Sequence, residues 1–148
     1  MAIDNYDVKY SSNLMTFEFV SEGIKGKITK VVQYTPRGLK NFYNLGFGDK
    51  KEETGEVDDM IITDNGDSKK VLATVASTVY RFTEKYPDAM IYATGSTKSR
   101  TRMYRIGISN NLKDIRKDFF VFGLKNNQWH DFEADKEYEG FLVVRKKN

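Results

Sequence analysis

Apolar and polar residues alternate along Met15–Val20 (MTFEFV). Met15, Phe17 and Phe19 fall on one side, the period-two pattern of a half-buried strand. Ser21-Glu22-Gly23 reads as a turn. A second β-branched run, Lys27–Tyr34 (KITKVVQY), sets Ile28 and Val32 on one face and Val31 on the other, and Pro36-Arg37-Gly38 closes it. Asn41–Asp49 (NFYNLGFGD) reads as a third strand containing Gly46 and Gly48, and glycine inside a strand marks a bulge or a close backbone approach. The acidic stretch Lys50–Asp59 reads as a loop, followed by a short apolar piece at Met60–Ile62.

The period then changes to that of a helix. Asp64-Asn65-Gly66-Asp67 is a turn signal, because Asn-Gly tolerates positive φ, and Asp67 or Ser68 is placed to cap a helix beginning there. Over Ser68–Tyr86, Val71, Leu72, Val75, Ala76, Val79, Phe82 and Tyr86 form one apolar stripe, and Pro87 stops the helix. Met90–Ala93 is a short buried strand and Gly95-Ser96-Thr97 a turn. A second helix spans about Lys98–Asn110, with Leu112–Lys117 adding a further turn or two. Phe119–Leu124 (FFVFGL) is a strand, Asn126-Asn127 a hairpin turn into Gln128–Phe132, and Tyr138–Lys146 the last strand. The order β-β-β-α-β-α-β-β describes an α+β fold, a mostly antiparallel sheet with two main helices on one face. With no internal repeat or linker, residues 1–148 read as a single domain.

Composition adds limits. At 39% hydrophobic and 30% charged residues the chain has a globular composition. It contains no cysteine, which excludes disulfides, thiolate metal sites and a cysteine nucleophile, and which fits a reducing cytoplasm. No apolar run approaches the roughly 20 residues of a membrane span, and the N-terminus has no signal-peptide pattern, so the expected location is cytoplasmic with no membrane partner. The net charge of +3 is small, but its distribution is uneven. Gly48–Asp67 holds eight acids against two lysines, and Lys98–Lys117 holds seven bases against Asp114. This fits a basic site beside an acidic surface, or two segments that neutralise each other.

The candidate chemistry sits in Ile91–Ile108 (IYATGSTKSRTRMYRIGI). At 100° per residue, Lys98, Arg102 and Arg105 gather within about 60° of arc. Met103, Tyr104, Gly107 and Ile108 form the opposite, apolar arc, and Arg100 falls inside it. A guanidinium turned toward apolar surface needs a partner, either a carboxylate of this chain or a ligand. In the functional reading, Gly95, Ser96 and Thr97 offer backbone N–H groups and hydroxyls at a helix N-terminus. Arg100 and Arg102 then grip a phosphate or carboxylate, with Tyr104 beside them. In the plainer reading, Ser96 or Thr97 caps the helix, Arg100 pairs with Asp58, Asp59 or Asp67, and the other bases are a solvated face.

Several stretches carry a family resemblance: FEFVSEGIKGKITKVVQY, YNLGFGD, DDMIITDNGDSKKVLATVA, IYATGSTKSRTRMYRIGI and YEGFLVVRK. Together they resemble a family of small Bacteroidetes proteins built on a domain of unknown function with a GSTxxRTRxY core. That core maps onto Gly95, Ser96, Thr97, Arg100, Thr101, Arg102 and Tyr104. The chain's order of elements is also similar to the later part of the acyl-CoA-dependent N-acetyltransferase (GNAT) superfamily, which runs strands, helix, strand, helix and two strands. That resemblance implies acetyl-CoA as cosubstrate and Tyr104 as general acid toward the departing thiolate. The chain departs from that pattern at the pyrophosphate-binding turn, where Thr63–Ser68 offers only Gly66, and at Gly107, which falls one residue early.

Three other constellations are weaker. Asp58, Asp59, Asp64 and Asp67 lack the ligand spacing of an EF-hand loop, so turn and cap chemistry explains them and no metal is assigned. His130, the sole histidine, has no serine placed with it for a hydrolytic triad and reads as a hairpin residue. Tyr10, Tyr34, Tyr43 and Tyr92 lie on or near strands and would suit single-stranded nucleic-acid stacking, although core packing explains most aromatics.

Overall fold

The structure is a computed structural model that describes residues 4–58, 62–95 and 97–147. It is an α+β fold with mostly antiparallel strand pairing and, among the described residues, three helices and eight strands, with the third strand expected from the sequence present as β4 (Phe42–Asp49). The element order is fuller than β-β-β-α-β-α-β-β: a two-residue strand β1 (Lys9–Tyr10) precedes the others, Leu112–Asp118 is a helix in its own right, and the expected hairpin arm at Gln128 counts as a third strand after it. Its contacts group the chain into two compact units, Met1–Thr35 with Leu45–Lys85 and Pro36–Asn44 with Tyr86–Asn148.

In the first unit, β2 (Thr16–Gly23) pairs antiparallel with β3 (Gly26–Pro36) in a register that sets Phe17 opposite Val32 and Phe19 opposite Lys30. The turn falls at Ile24-Lys25 and not at Ser21–Gly23. Gly23 instead answers a close approach, since a Cβ there would lie 1.9 Å from the Asn65 carbonyl oxygen. Asn65 closes the hairpin: its carbonyl accepts from Ile24 N–H, its Oδ1 from Lys25 N–H, and its Nδ2 donates to the Gly26 carbonyl.

Helix α1 (Ser68–Lys85) is correctly placed, but its buried face is rotated from the aliphatic stripe. Val71, Ala73, Thr74, Val75, Thr78, Phe82 and Thr83 are buried, while Leu72, Ala76 and Val79 are only half-buried. Threonine reads as polar in a sequence, yet Thr74, Thr78 and Thr83 are buried with their hydroxyls satisfied: each donates to a helix carbonyl, and Thr74 Oγ1 also accepts the Tyr6 N–H. Tyr34 stacks on Phe82 with ring centroids 4.1 Å apart, and its hydroxyl bonds Thr78. Asp67 accepts from Tyr6 Oη and Ser21 Oγ, so its carboxylate ties the N-terminal segment to β2.

The second unit positions the site. β5 (Met90–Ala93) pairs antiparallel with β8 (Gly140–Arg145), which pairs antiparallel with β6 (Phe119–Lys125), so β5 and β6 run parallel with β8 between them. β6 turns through Asn126-Asn127, both at positive φ, into β7 (Gln128–Asp131), the two-residue hairpin that the Asn-Asn pair predicts. Helices α2 (Lys98–Asn110) and α3 (Leu112–Asp118) fill the connection from β5 to β6 and break at Asn111, whose Nδ2 donates to the Gly107 carbonyl. Ile91, Phe119, Val121, Phe132, Tyr138 and Phe141 are buried here with Tyr104 and Ile115 of the helices. No described helix is long and apolar enough to cross a membrane.

Candidate functional site

The turn between β5 and α2 is built by close packing. A Cβ on Gly95 would lie 2.3 Å from Arg100 Cβ and 2.5 Å from the Thr101 nitrogen, so only glycine lets this backbone lie on the first turn of the helix. Thr101 Oγ1 accepts the Gly95 N–H at 3.0 Å and lies 3.2 Å from the Thr97 carbonyl, to which it donates. Thr97 is extended (φ −132°), and its hydroxyl oxygen accepts the Arg100 N–H at 3.2 Å as the N-cap of α2. The Gly95 N–H and the Thr97 hydroxyl oxygen are therefore used within the turn. Ser96 lies outside the described residues.

A cleft of about 710 Å³ opens beside this helix, a volume in the range of small-molecule sites. One wall is the β5–α2 turn and the helix face carrying Lys98, Thr101, Arg102 and Arg105; the other is the end of β6, with Lys125 and Asn126, and the segment Glu137–Glu139 that leads into β8. Gly95 and Thr97 line it as well, whereas Arg100 and Tyr104 do not. Arg100 is half-buried and already has an interaction within the protein. Tyr104 is 8% exposed and belongs to the core.

The second wall is held as firmly as the first. Glu139 N–H donates to the Leu124 carbonyl at 2.7 Å, and the Glu139 carbonyl accepts from Thr94 Oγ1 at 2.8 Å. Between the two glutamates, Tyr138 turns inward over Gly123, and its Oη accepts the Glu133 N–H at 3.0 Å. Glu137 and Glu139, on either side of it, are both exposed while Tyr138 is buried.

Four cationic side chains, Lys98, Arg102, Arg105 and Lys125, thus face two carboxylates, Glu137 and Glu139, around one concavity. Among the described residues none of the six forms an ion pair. Elsewhere exposed charges do pair, as Lys136 with Glu133 and Lys147 with Asp88. The Glu133 carboxylate holds the Lys136 ammonium above its usual pKa, and Lys147 holds the Asp88 carboxyl below its own.

Along almost its whole length, residues 2–146, the chain matches the family of unknown function DUF6934. It belongs to that family. No curated protein and no solved structure matches it.

The remaining candidates disperse in this DUF6934 member. Asp64 accepts the Gly66 N–H and Asp67 serves Tyr6 and Ser21, while Asp59 lies outside the described residues, as do Met60 and Ile61. Among the described residues no three His, Asp or Glu side chains are grouped to hold a metal ion. His130 is exposed on β7. Tyr34 is 2% exposed and offers no face for stacking, Tyr43 packs on Tyr86, and Tyr92 lies between Phe42 and Trp129.

Sequence reasoning reached the first wall of the cleft and missed the second. Lys125, Asn126 and Glu137–Glu139 are brought in by strand pairing, which no helical wheel encodes. The available signal was the Glu-Tyr-Glu alternation just before an apolar strand.

Proposed function

We propose that this protein is a binding module for a small anionic ligand, bearing phosphate or carboxylate, held in the cleft beside α2. The observation that carries the reading is the convergence of Lys98, Arg102, Arg105 and Lys125 on one concave site without ion-pair partners among the described residues. Like charges gathered in a cleft raise its potential and repel one another until an anion enters. The two arginines add planar forks suited to bidentate contact with phosphate or carboxylate.

Of the residues singled out in the sequence, Gly95 and Thr97 shape the wall in this reading and Arg102 is an anion donor. The part first given to Arg100 passes to Lys98 and Arg105, with Arg100 and Tyr104 supporting the helix from behind. Acyl-CoA transfer through Tyr104 and single-stranded nucleic-acid binding are the competing readings. The same module is placed in the cytoplasm, in keeping with its cysteine-free sequence.

Isothermal titration calorimetry with nucleoside phosphates, small dicarboxylates, acetyl-CoA and short oligonucleotides tests the reading. Binding that weakens with salt and is lost in the Arg102→Ala/Arg105→Ala variant supports it. No binding across the panel would overturn it, and retained binding in that variant would move the ligand elsewhere.

A further inference from the structure

The two carboxylates are a puzzle for a site that takes anions. Glu137 and Glu139 line the same cleft as the four cations, on a backbone that cannot easily swing away. Glu139 is fixed at its N–H by Leu124 and at its carbonyl by Thr94. Glu137 adjoins Tyr138, whose ring is seated on Gly123 and whose hydroxyl is bonded to the backbone at Asp131 and Glu133. Against a purely anionic ligand these carboxylates would oppose binding.

They would lower their own energy by closing onto the lysines and arginines opposite, yet no such pair forms among the described residues. The opposing wall is equally braced, by the close approach at Gly95, the Thr101 bonds and the Thr97 cap. The cleft therefore keeps unpaired charges of both signs, with its cations on α2 and the tip of β6 and its carboxylates on the irregular segment that leads into β8.

We infer that the ligand is a zwitterion, with a phosphate or carboxylate received by Lys98, Arg102 and Arg105 and an ammonium or amidinium group received by Glu137 and Glu139. This rests on the anion-binding reading of the same cleft and deepens it. Three cations on the α2 wall and two carboxylates on the wall that also carries Lys125 fix the ligand's direction, because reversal would set its anion beside Glu137 and Glu139 and its cation beside Lys98, Arg102 and Arg105.

The test is a titration followed by backbone amide NMR, using a short series of ω-aminoalkyl phosphates, each beside the alkyl phosphate of the same length. The wild type is expected to bind the best-fitting aminoalkyl phosphate about three- to tenfold more tightly than its amine-free partner, the range for added partly exposed ion pairs. In Glu137→Gln/Glu139→Gln, whose substitutions are at exposed positions, that preference should vanish while alkyl phosphate binding is kept or improved. Equal affinity for the paired compounds at every length in the wild type, with alkyl phosphates still bound, would overturn the zwitterion while leaving the anion site standing. Failure of both series to bind in the cleft would overturn the inference together with the reading beneath it.

Discussion

The Tyr138 ring lies directly on Gly123, where a Cβ would come within 2.3 Å of it. That single contact, between a strand glycine and a residue 15 positions later, sets the course of the Glu137–Glu139 wall. Gly123→Ala should therefore destabilise the protein by about 1–3 kcal/mol, the usual cost of overpacking a core, and should displace the wall. Tyr138→Phe keeps the ring and loses only the hydroxyl bonds, so its cost should be near ~1 kcal/mol. Denaturant melts of the two variants check the ranking; a Gly123→Ala protein as stable as the wild type would contradict the packing account.

The opposite wall makes a matching prediction. In Gly95→Ala the new methyl meets Arg100 Cβ and the Thr101 backbone, neither of which is a flexible tip, so the turn must shift. Thr101→Val removes the bonds to the Gly95 N–H and the Thr97 carbonyl at nearly constant volume. Both variants should lose ligand affinity by more than they lose stability, since the helix remains while its first turn moves. Parallel melts and titrations would show whether the two losses separate.

The buried pair Lys30–Asp49 gives a third. Lys30 is 1% exposed, and its Nζ donates to Asp49 Oδ1 at 2.5 Å and to the Thr63 carbonyl at 2.8 Å, while Asp49 also accepts from Thr63 Oγ1. Lys30→Ala leaves the Asp49 carboxylate, whose side chain is 14% exposed, without its cation and should cost about 3 kcal/mol, the low end for a buried pair. Lys30→Met/Asp49→Asn removes both charges and keeps acceptor geometry for Thr63, so it should recover much of that loss. Equal stability of the single and double variants by chemical denaturation would show that the stranded carboxylate is not what destabilises the single one.

The cleft was half legible in the sequence, and the reason is physical. Helical period is local, so Lys98, Arg102 and Arg105 fall on one face of α2 from the sequence alone. Which face meets the cleft depends on what packs beneath the helix, and the apolar arc carrying Tyr104 does face inward, as its pattern indicates. Arg100 stands out as the anomaly on that arc; it is half-buried, has an interaction within the protein and is not among the residues that line the cleft. The rotation of the α1 face by its threonines and the burial of Lys30 escape notice for a common reason. Both rest on hydrogen bonds that make a polar side chain behave as core, and hydrophobicity patterns do not register such bonds.

Tyr6 supplies a pH-dependent test away from the cleft. Burial, and then its hydrogen bond to Asp67, raise the pKa of its phenol above the ordinary 10.0. The neutral phenol is thus favoured in the folded state. Its contribution to stability is full below the unfolded pKa and is lost as pH rises through the higher folded value. Urea melts across the alkaline range should show the wild type losing stability above pH ~10 more steeply than Tyr6→Phe. Identical slopes would mean that the phenol is not held neutral by the fold.

The anion-binding account itself is tested most directly by mapping amide NMR shifts during titration with a nucleoside phosphate. The predicted result is a set of saturable shifts confined to residues 94–105, 125–126 and 137–139, abolished when Arg102 and Arg105 are both replaced by glutamate. Saturable shifts centred on another surface, or none at all in a folded wild-type protein, would contradict it.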